Sequence, residues 1–401
     1  MPRLQALLRF LLAHGRHVRQ LVVFKVSLDG LPEAQQQEAA ALLPACMTAC
    51  GGPASSLSSL ILADVALPSL DWLPGLAALR ELQMGCGERS LRLPPGLQHL
   101  SCLTRLSLSG STVELESGAP LPTGLLRLNL IDEHSESLPS QARQGSVSQL
   151  SHLTRLSLAH SNYSPEGQGA LTALASLRHL HVFLCPTPAC LPALTSLEHL
   201  FLVTGTADLT LQLEAALAQL RGLTSLVIRA DSQRIPPALG GLSRLQRLSW
   251  SGWDDDEPAD TRLPDGPWLA SIRWLGLPWP ILERSAPVLA DAPQLGYLCA
   301  STMPEPSIVM VDGTDGGTRW RRFWRFLVAH PPLRCFGLDA EPDGVEDEED
   351  GPAERPSADL LQALLLLRGM RPALRLRCLV HDFEIEVIDC SDIPDDDLPA
   401  F

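Results

Sequence analysis

A short leucine pattern, L-x-x-L-x-L, recurs through most of the sequence and constrains the fold more than any other feature. In each copy the second and third leucines lie two positions apart, so their side chains point to the same face of a short β-strand. One unit is too small to bury this face, whereas parallel stacking of many units joins the leucines into a continuous core. Eleven copies are clear, beginning at Leu57, Leu79, Leu103, Leu125, Leu153, Leu177, Leu197, Leu223, Leu245, Ile272 and Leu295.

The period and the connecting segments of these copies match a known type of repeat. The mean period is about 24 residues, within the range of 20–29 residues for leucine-rich repeats. Residues 93–103 read L-P-P-G-L-x-x-L-x-x-L, and residues 235–245 read I-P-P-x-L-x-x-L-x-x-L. Over residues 57–300 the sequence therefore resembles the leucine-rich repeat family. The resemblance implies an α/β solenoid, a horseshoe with a parallel concave sheet and short helical or 3₁₀ segments on its convex side.

The flanks of the array suggest the remaining divisions of the chain. We expect residues 1–56 to form a cap from an N-terminal helix and a degenerate first repeat, ahead of the array of about eleven units at residues 57–300. Residues 301–338 are expected to form a C-terminal flank with a Trp/Arg-rich helix. Residues 339–359 are acidic and rich in Pro and Gly, which predicts a disordered linker. Residues 360–401 are expected to form a short helix, a strand and an acidic tail.

The charge of the chain is unevenly distributed and argues against a nucleic-acid partner. The formal net charge is −15 at pH 7, but residues 339–401 alone hold 18 Asp and Glu against five Arg. A nucleic-acid-binding protein generally has an excess of basic residues. No run of apolar residues approaches the 18 needed to span a membrane, and Arg3 and Arg9 interrupt the apolar N-terminus. We therefore expect no membrane partner and no signal peptide.

The sequence lacks the motifs of common catalytic and metal sites. The ten cysteines show neither a disulfide framework nor zinc-ligand spacing, which favours a reducing, cytoplasmic compartment. Phosphate-binding loops, G-x-S-x-G and H-E-x-x-H are absent. We therefore predict no catalytic residue, no cofactor, no metal ligand and no enzymatic activity. An esterase-like or kinase-like enzyme is an alternative against which the missing motifs count.

The predicted binding surface is the concave face of the sheet. The residues on either side of the second leucine of each copy point away from the core, and in the middle of the array many of them are basic or aromatic. Arg and aromatic residues are enriched at protein interfaces, and Arg pairs well with carboxylates. This pattern favours another protein, preferably acidic, as the partner of a monomer. The predicted partner-binding residues are Arg105, Arg127, Arg155, His179, His181, His199, Phe201, Arg247, Trp274 and Tyr297.

Several of these features allow a second interpretation. Arg is common at exposed strand positions, so the basic residues of the concave face do not by themselves require a binding partner. Three histidines of the face could converge on a metal ion, but a surface cluster is favoured because no carboxylate lies beside them. Seven of the eight Trp residues lie within residues 250–324 and either line a carbohydrate or peptide groove or, as we favour, fill the core. The acidic segment at residues 339–359 allows two interpretations. It either folds back onto the basic concave face and competes there with an acidic partner or, as we favour, is a solvated spacer.

These observations predict a non-catalytic protein-interaction scaffold that binds its partner through the concave face. An alternative comes from residues 10–21, which are similar to the stretch that follows the F-box in F-box/leucine-rich-repeat proteins. This similarity implies the substrate-recognition part of a ubiquitin ligase whose F-box is missing from this chain. Without an F-box, the chain is expected to be a bare solenoid adaptor in the cytoplasm. Narrower alternatives place it at the cytoskeleton or the ciliary axoneme, and a nuclear location stays open.

Overall fold

The computed structural model of the chain describes two compact units, Met1–Gly205 and Thr206–Phe401. The described residues are 2–24, 45–47, 50, 56–63, 70–85, 90–94, 96–110, 112–114, 120–132, 147–159, 165–183, 188–204, 209–230, 234–251, 261–300, 323–340, 358–380 and 383–385. Most of the predicted acidic linker, residues 341–357, lies outside these ranges, as do residues 386–401 of the predicted tail.

The first unit is built on eight parallel strands that pair in chain order. They are β1 (Gln20–Phe24), β2 (Ser59–Ala63), β3 (Glu81–Gly85), β5 (Arg105–Gly110), β7 (Arg127–Asp132), β8 (Arg155–Ala159), β9 (His179–Phe183) and β10 (His199–Thr204). Two further short strands, β4 (Ser90–Arg92) and β6 (Thr112–Glu114), form a separate parallel pair.

The second unit has six parallel strands and one antiparallel strand. The parallel strands are β11 (Ser225–Ala230), β12 (Arg247–Ser251), β13 (Trp274–Leu277), β14 (Tyr297–Ala300), β15 (Cys335–Ala340) and β16 (Arg375–Val380). The last strand, β17 (Phe383–Ile385), runs antiparallel to β16. The sequence predicts one strand within residues 360–401, whereas the structure has two there, and β16 is a full parallel neighbour of β15.

Short helices and 3₁₀ turns connect the strands. The α-helices are α1 (Pro2–His14), α2 (Pro165–Thr172), α3 (Leu209–Leu217), α4 (Trp279–Leu289) and α5 (Ala358–Met370), and residues 323–329 are also helical. The 3₁₀ turns are Gly15–His17, Leu73–Gly75, Leu97–His99, Leu191–Ala193, Pro237–Gly241 and Pro267–Ala270. Four of these turns carry Pro at their first or second position. Pro suits this place because its φ is already fixed and its missing N–H has no partner in a first turn.

The core is a ladder of leucines in register on one side of each sheet. Leu106, Leu128 and Leu156 pair across β5, β7 and β8, and their side chains are 2%, 1% and 0% exposed. Leu248 and Leu275 form the corresponding pair in the second unit, and both are fully buried. The parallel sheets and the buried ladder confirm the predicted α/β solenoid fold class. Among the described residues, no helix is long and apolar enough to cross a membrane.

The core of the second unit is widened by tryptophan. Trp250 occupies a leucine position of β12, Trp268 lies in a 3₁₀ turn and Trp279 begins α4. Their side chains are 1%, 0% and 2% exposed. The favoured interpretation of the tryptophans as core residues is therefore confirmed for these three. Trp253 and Trp320 lie outside the described residues.

Two connections of the second unit depend on contacts that no repeat pattern encodes. After α5, the Arg371 guanidinium donates hydrogen bonds of 2.8 Å to the carbonyl oxygens of Leu327, His330 and Leu333. These three carbonyls belong to the segment that leads into β15. The Arg371 side chain therefore links the segment before β16 to the segment before β15. A hydrogen bond that involves a charged group typically contributes about 1.5–3 kcal/mol.

A pair of glycines allows two neighbouring turns to touch. A Cβ atom on Gly266 would overlap with the carbonyl oxygen of Gly240, and a Cβ atom on Gly240 would lie 2.6 Å from the carbonyl oxygen of Asp265. Both obstacles are backbone atoms, which cannot rotate away. Gly241, next to this contact, has open space where its Cβ would be.

We predict that Gly266→Ala lowers the free energy of unfolding by about 1–3 kcal/mol, because the new methyl group forces two backbones apart. The measurement is urea denaturation followed by circular dichroism. Gly241→Ala is the matched control, and its expected change is within about 0.5 kcal/mol. Equal denaturation midpoints for the two variants would show that the turns are not in tight contact.

We also predict that Arg371→Met destabilises the protein by about 2–3 kcal/mol, since three carbonyl oxygens lose their charged donor. Arg368→Met, at an exposed position near the end of α5, is the control and should change stability by less than about 0.5 kcal/mol. Thermal unfolding of the three proteins checks this. Similar losses in both variants would assign the effect to the net charge of the segment.

Candidate functional site

The side chains opposite the leucine ladder form the open face of each sheet. On the first unit, three neighbouring strands begin with arginine, and these residues are paired in register: Arg105 with Arg127, and Arg127 with Arg155. We call these three residues the arginine row. Adjacent strands are about 4.8 Å apart, so the row spans roughly 10 Å across the sheet.

The threonines before two of these arginines hold the row in place. The Thr104 hydroxyl donates a hydrogen bond of 3.1 Å to the Arg80 carbonyl oxygen, which also accepts the backbone N–H groups of Thr104 and Arg105. Thr154 makes the same arrangement one repeat later, with a bond of 3.0 Å to the Leu126 carbonyl oxygen. The Thr-Arg-Leu triplets at residues 104–106 and 154–156 thus help to fix where these two strands start.

The arginine row carries more positive charge than its surroundings neutralise. The Arg105 guanidinium lies 3.7 Å from the Glu81 carboxylate, and both side chains are partly exposed. Among the side chains that the structure describes, no carboxylate forms an ion pair with Arg127 or Arg155. Burial lowers the pKa of Arg155, and the positive charges of Arg127 and Arg105 lower it further. Arginine nevertheless stays protonated at neutral pH, so the row holds three positive charges.

Two stacked histidines continue the arginine row. His179 is in register with Arg155 on one side and with His199 on the other. The imidazole rings of His179 and His199 lie parallel, with their centroids 4.2 Å apart. The pKa of His179 is lowered to about 4. Burial is the largest cause, the nearby His199 and Arg155 add to it, and a hydrogen bond to the Thr154 backbone acts in the opposite direction. His179 is therefore neutral at pH 7.

A second row lies two positions further along the strands, on the same face of the sheet. His181 pairs with Phe201, and the ring centroids are 5.5 Å apart. Burial lowers the pKa of His181, and the positive charge of Arg155 lowers it as well. The histidines thus offer neutral hydrogen-bonding groups and ring surface beside the charged arginines. Among the described residues, no group of three or more His, Cys, Asp or Glu is placed to hold a metal ion.

The second unit has its own aromatic patch on the open face. Arg247, Trp274 and Tyr297 are in register across β12, β13 and β14. The guanidinium carbon of Arg247 lies 4.7 Å from the centre of the Trp274 ring, within the range of a cation–π interaction. The Trp274 ring also lies over Gly276, where a Cβ atom would come 2.6 Å from the indole. The absence of a side chain at Gly276 therefore lets the ring lie close to the sheet.

The ten predicted binding residues are divided between the two units. The first unit contains seven of them, and the structure places five in one row: Arg105, Arg127, Arg155, His179 and His199. The remaining three form the aromatic patch of the second unit. Whether either surface binds a partner stays a prediction.

Two charged residues near these surfaces were missed by the sequence-based selection. Glu81 stands at the end of the arginine row and partly neutralises Arg105. Arg375 continues the open face of the second unit, because β16 is in register with β15 beside Tyr297. The alternation of Leu374, Leu376 and Cys378 is the signal that could have extended the array to this strand.

Comparison with known proteins gives only distant likenesses. No protein-family model matches the sequence, and no curated protein matches it. The solved structure of an internalin (InlF) from Listeria monocytogenes is similar at 17% identity and a TM-score of 0.45, covering 78% of this chain and 92% of the internalin. A plant peptide hormone receptor, RGFR1 in complex with RGF2, has 14% identity and a TM-score of 0.33, covering 73% of this chain and 42% of the receptor. The fold assignment therefore rests on the repeat register and the parallel pairing within each unit.

We predict that His179 makes stability depend on pH in the acidic range. Its pKa is about 4 in the folded protein, against about 6.5 in an unfolded chain. The unfolded chain therefore binds an extra proton as the pH falls below 6.5, and the contribution of His179 to stability is lost progressively down to pH 4. Because the side chain is partly exposed and screened by solvent, we expect a loss of about 1 kcal/mol.

The measurement is the free energy of unfolding at pH 7.0 and pH 4.5, from urea denaturation. His179→Gln should lose less stability between the two pH values than the wild type. His152→Gln, an exposed residue in a turn, should behave as the wild type does. Identical losses in the wild type and His179→Gln would contradict the lowered pKa.

Proposed function

We propose that this repeat protein, with its parallel strands paired in register, is a non-catalytic scaffold that binds a partner protein through the open face of the first unit. The observation that carries this proposal is the arginine row with its adjoining histidines. Parallel strands hold these side chains in fixed register, so a partner meets a surface that is already ordered. A preorganised surface loses little conformational entropy on binding.

The composition of this face also fits protein recognition. Guanidinium groups supply several directional hydrogen bonds, while the rings of His181 and Phe201 supply apolar contact area beside them. Arg and aromatic side chains dominate the binding energy of many protein interfaces. The open face therefore combines polar and apolar contacts within a few strands.

The test is an affinity capture from native cell lysate followed by mass spectrometry. We predict that Arg105→Glu/Arg127→Glu/Arg155→Glu loses the partners that the wild type captures, with recovery reduced at least tenfold. Charge reversal turns each attractive contact into a repulsive one, so the combined loss should be large.

A matched control separates recognition from a general effect of charge. Arg221→Glu/Arg244→Glu/Arg262→Glu changes the net charge equally at exposed positions outside the strands. This variant should capture the same partners as the wild type. Partners retained by both variants would exclude the arginine row and direct attention to Arg247, Trp274 and Tyr297.

The same capture bears on the alternative function. If the chain is the substrate-recognition part of a ubiquitin ligase, as residues 10–21 suggest, ubiquitin-ligase adaptors should be among the captured proteins. On α1, Phe10 and Leu12 are 53% and 46% exposed, which leaves apolar surface available for such a contact. Adaptors should then be lost on Phe10→Asp and retained in the triple arginine variant.

A further inference from the structure

We propose that the arginine row binds an extended acidic peptide segment, whose carboxylates pair with Arg127 and Arg155. This inference rests on the proposed function, since it specifies the chemistry of the partner at that same surface. The argument has three parts: the charge of the row, its spacing and the groups at its two ends.

The charge of the row is incompletely balanced within the first unit. Three guanidinium groups stand on adjacent strands, and among the described side chains only Glu81 is paired with one of them. Each arginine raises the electrostatic energy of its neighbours, and Arg155 is also partly withdrawn from water. A bound anion would relieve both effects. Paired guanidinium and carboxylate groups form charge-assisted hydrogen bonds, which are roughly twice as strong as neutral ones.

The spacing of the row suits a peptide that crosses the strands. The guanidinium-bearing positions are about 4.8 Å apart, and the whole row spans roughly 10 Å. In an extended peptide, side chains on one side recur about every 6.6–7 Å, so two carboxylates at alternate positions reach across three arginines. Arg recognises a carboxylate through two parallel hydrogen bonds, which fixes the direction of approach.

The two ends of the row limit the length of the anionic stretch. Glu81 repels a further carboxylate at one end. At the other end, His179 and His181 are neutral at pH 7 and offer ring surface and hydrogen bonds instead of charge. The ligand should therefore be a short acidic stretch that continues into apolar or neutral residues.

The charge of the whole unit favours a peptide over a nucleic acid. Residues 1–205 contain 13 Lys and Arg against 14 Asp and Glu, so the unit as a whole has no excess of positive charge. A nucleic-acid surface usually presents a broad basic field that follows a phosphate backbone. A phosphorylated peptide carries the same kind of anionic groups as an acidic one, and the experiment separates these two sources.

The experiment measures the binding of a fluorescein-labelled octaglutamate peptide to the purified full chain by fluorescence anisotropy. We expect saturable binding that weakens as salt is raised from 50 to 200 mM, and no binding of octaglutamine. Arg127→Gln/Arg155→Gln should weaken the binding at least tenfold. Arg221→Gln/Arg244→Gln, which removes the same charge elsewhere, should stay within twofold of the wild type. Circular dichroism at 25 °C checks that both variants are folded.

Two results would overturn the proposal, and a third would identify the preferred anionic group. Equal affinity of octaglutamate for the two double variants would show that the peptide responds to the overall charge of the protein and does not bind at the arginine row. A twelve-nucleotide oligothymidylate that binds the row tenfold more tightly than octaglutamate would make the site a nucleic-acid site. If a peptide with two phosphoserines at alternate positions binds more tightly than octaglutamate, the anionic-peptide site is supported and phosphate is its preferred group.

The lysate capture distinguishes failure of this inference from failure of the proposed function. Loss of partners in the triple arginine variant, without binding of octaglutamate, would overturn only the acidic chemistry. Binding of octaglutamate with unchanged capture would support the anionic site but remove the arginine row from partner recognition. If octaglutamate does not bind and the triple arginine variant captures the same partners as the wild type, both the inference and the proposed function are overturned.

Discussion

The register of the buried leucine ladder governs the rest of this structure. Each strand must place the same two positions of its repeat against the core, because a shift by one residue would turn its leucines toward solvent. Leu106, Leu128 and Leu156 meet this requirement on three successive strands of the first unit. Once they are aligned, the residues between and beside them are aligned as well. The rows on the open face are thus a geometric consequence of the core.

This constraint places like charges together in a way that surface electrostatics alone would not favour. Arg105, Arg127 and Arg155 cannot move out of register with one another without breaking the ladder. The cost is visible in the lowered pKa of Arg155. Burial of several leucines per repeat, at about 25 cal/mol per Å² of apolar surface, is large enough to maintain the arrangement. A fold driven by its core can therefore hold a row of like charges in an electrostatically unfavourable arrangement.

Rows on the open faces of the two units have different properties, because their side chains differ. In the first unit, the proximity of Arg155 and His199 adds to burial in keeping His179 neutral. In the second unit, Arg247 stands beside an aromatic ring instead of another cation, and the pair attract each other. Gly276 contributes by leaving room for that ring. Identical backbone geometry thus produces a charged surface in one unit and an aromatic surface in the other.

Much of this protein was determined by its sequence alone. A spacing of two between leucines defines a strand face, and a period of about 24 residues defines a stacked array, so the fold class and the residues of the open face follow from local pattern. Arg105, Arg127 and Arg155 were identified in this way. The tertiary structure decided what depends on neighbours 20 or more positions away in the chain. The pairing of Glu81 with Arg105, the stacking of His179 on His199, the anchoring by Arg371 and the place of β16 all belong to this group. Desolvation and charge–charge interactions act through space between strands. The sequence of a single repeat does not determine which side chains of other repeats will lie beside its own.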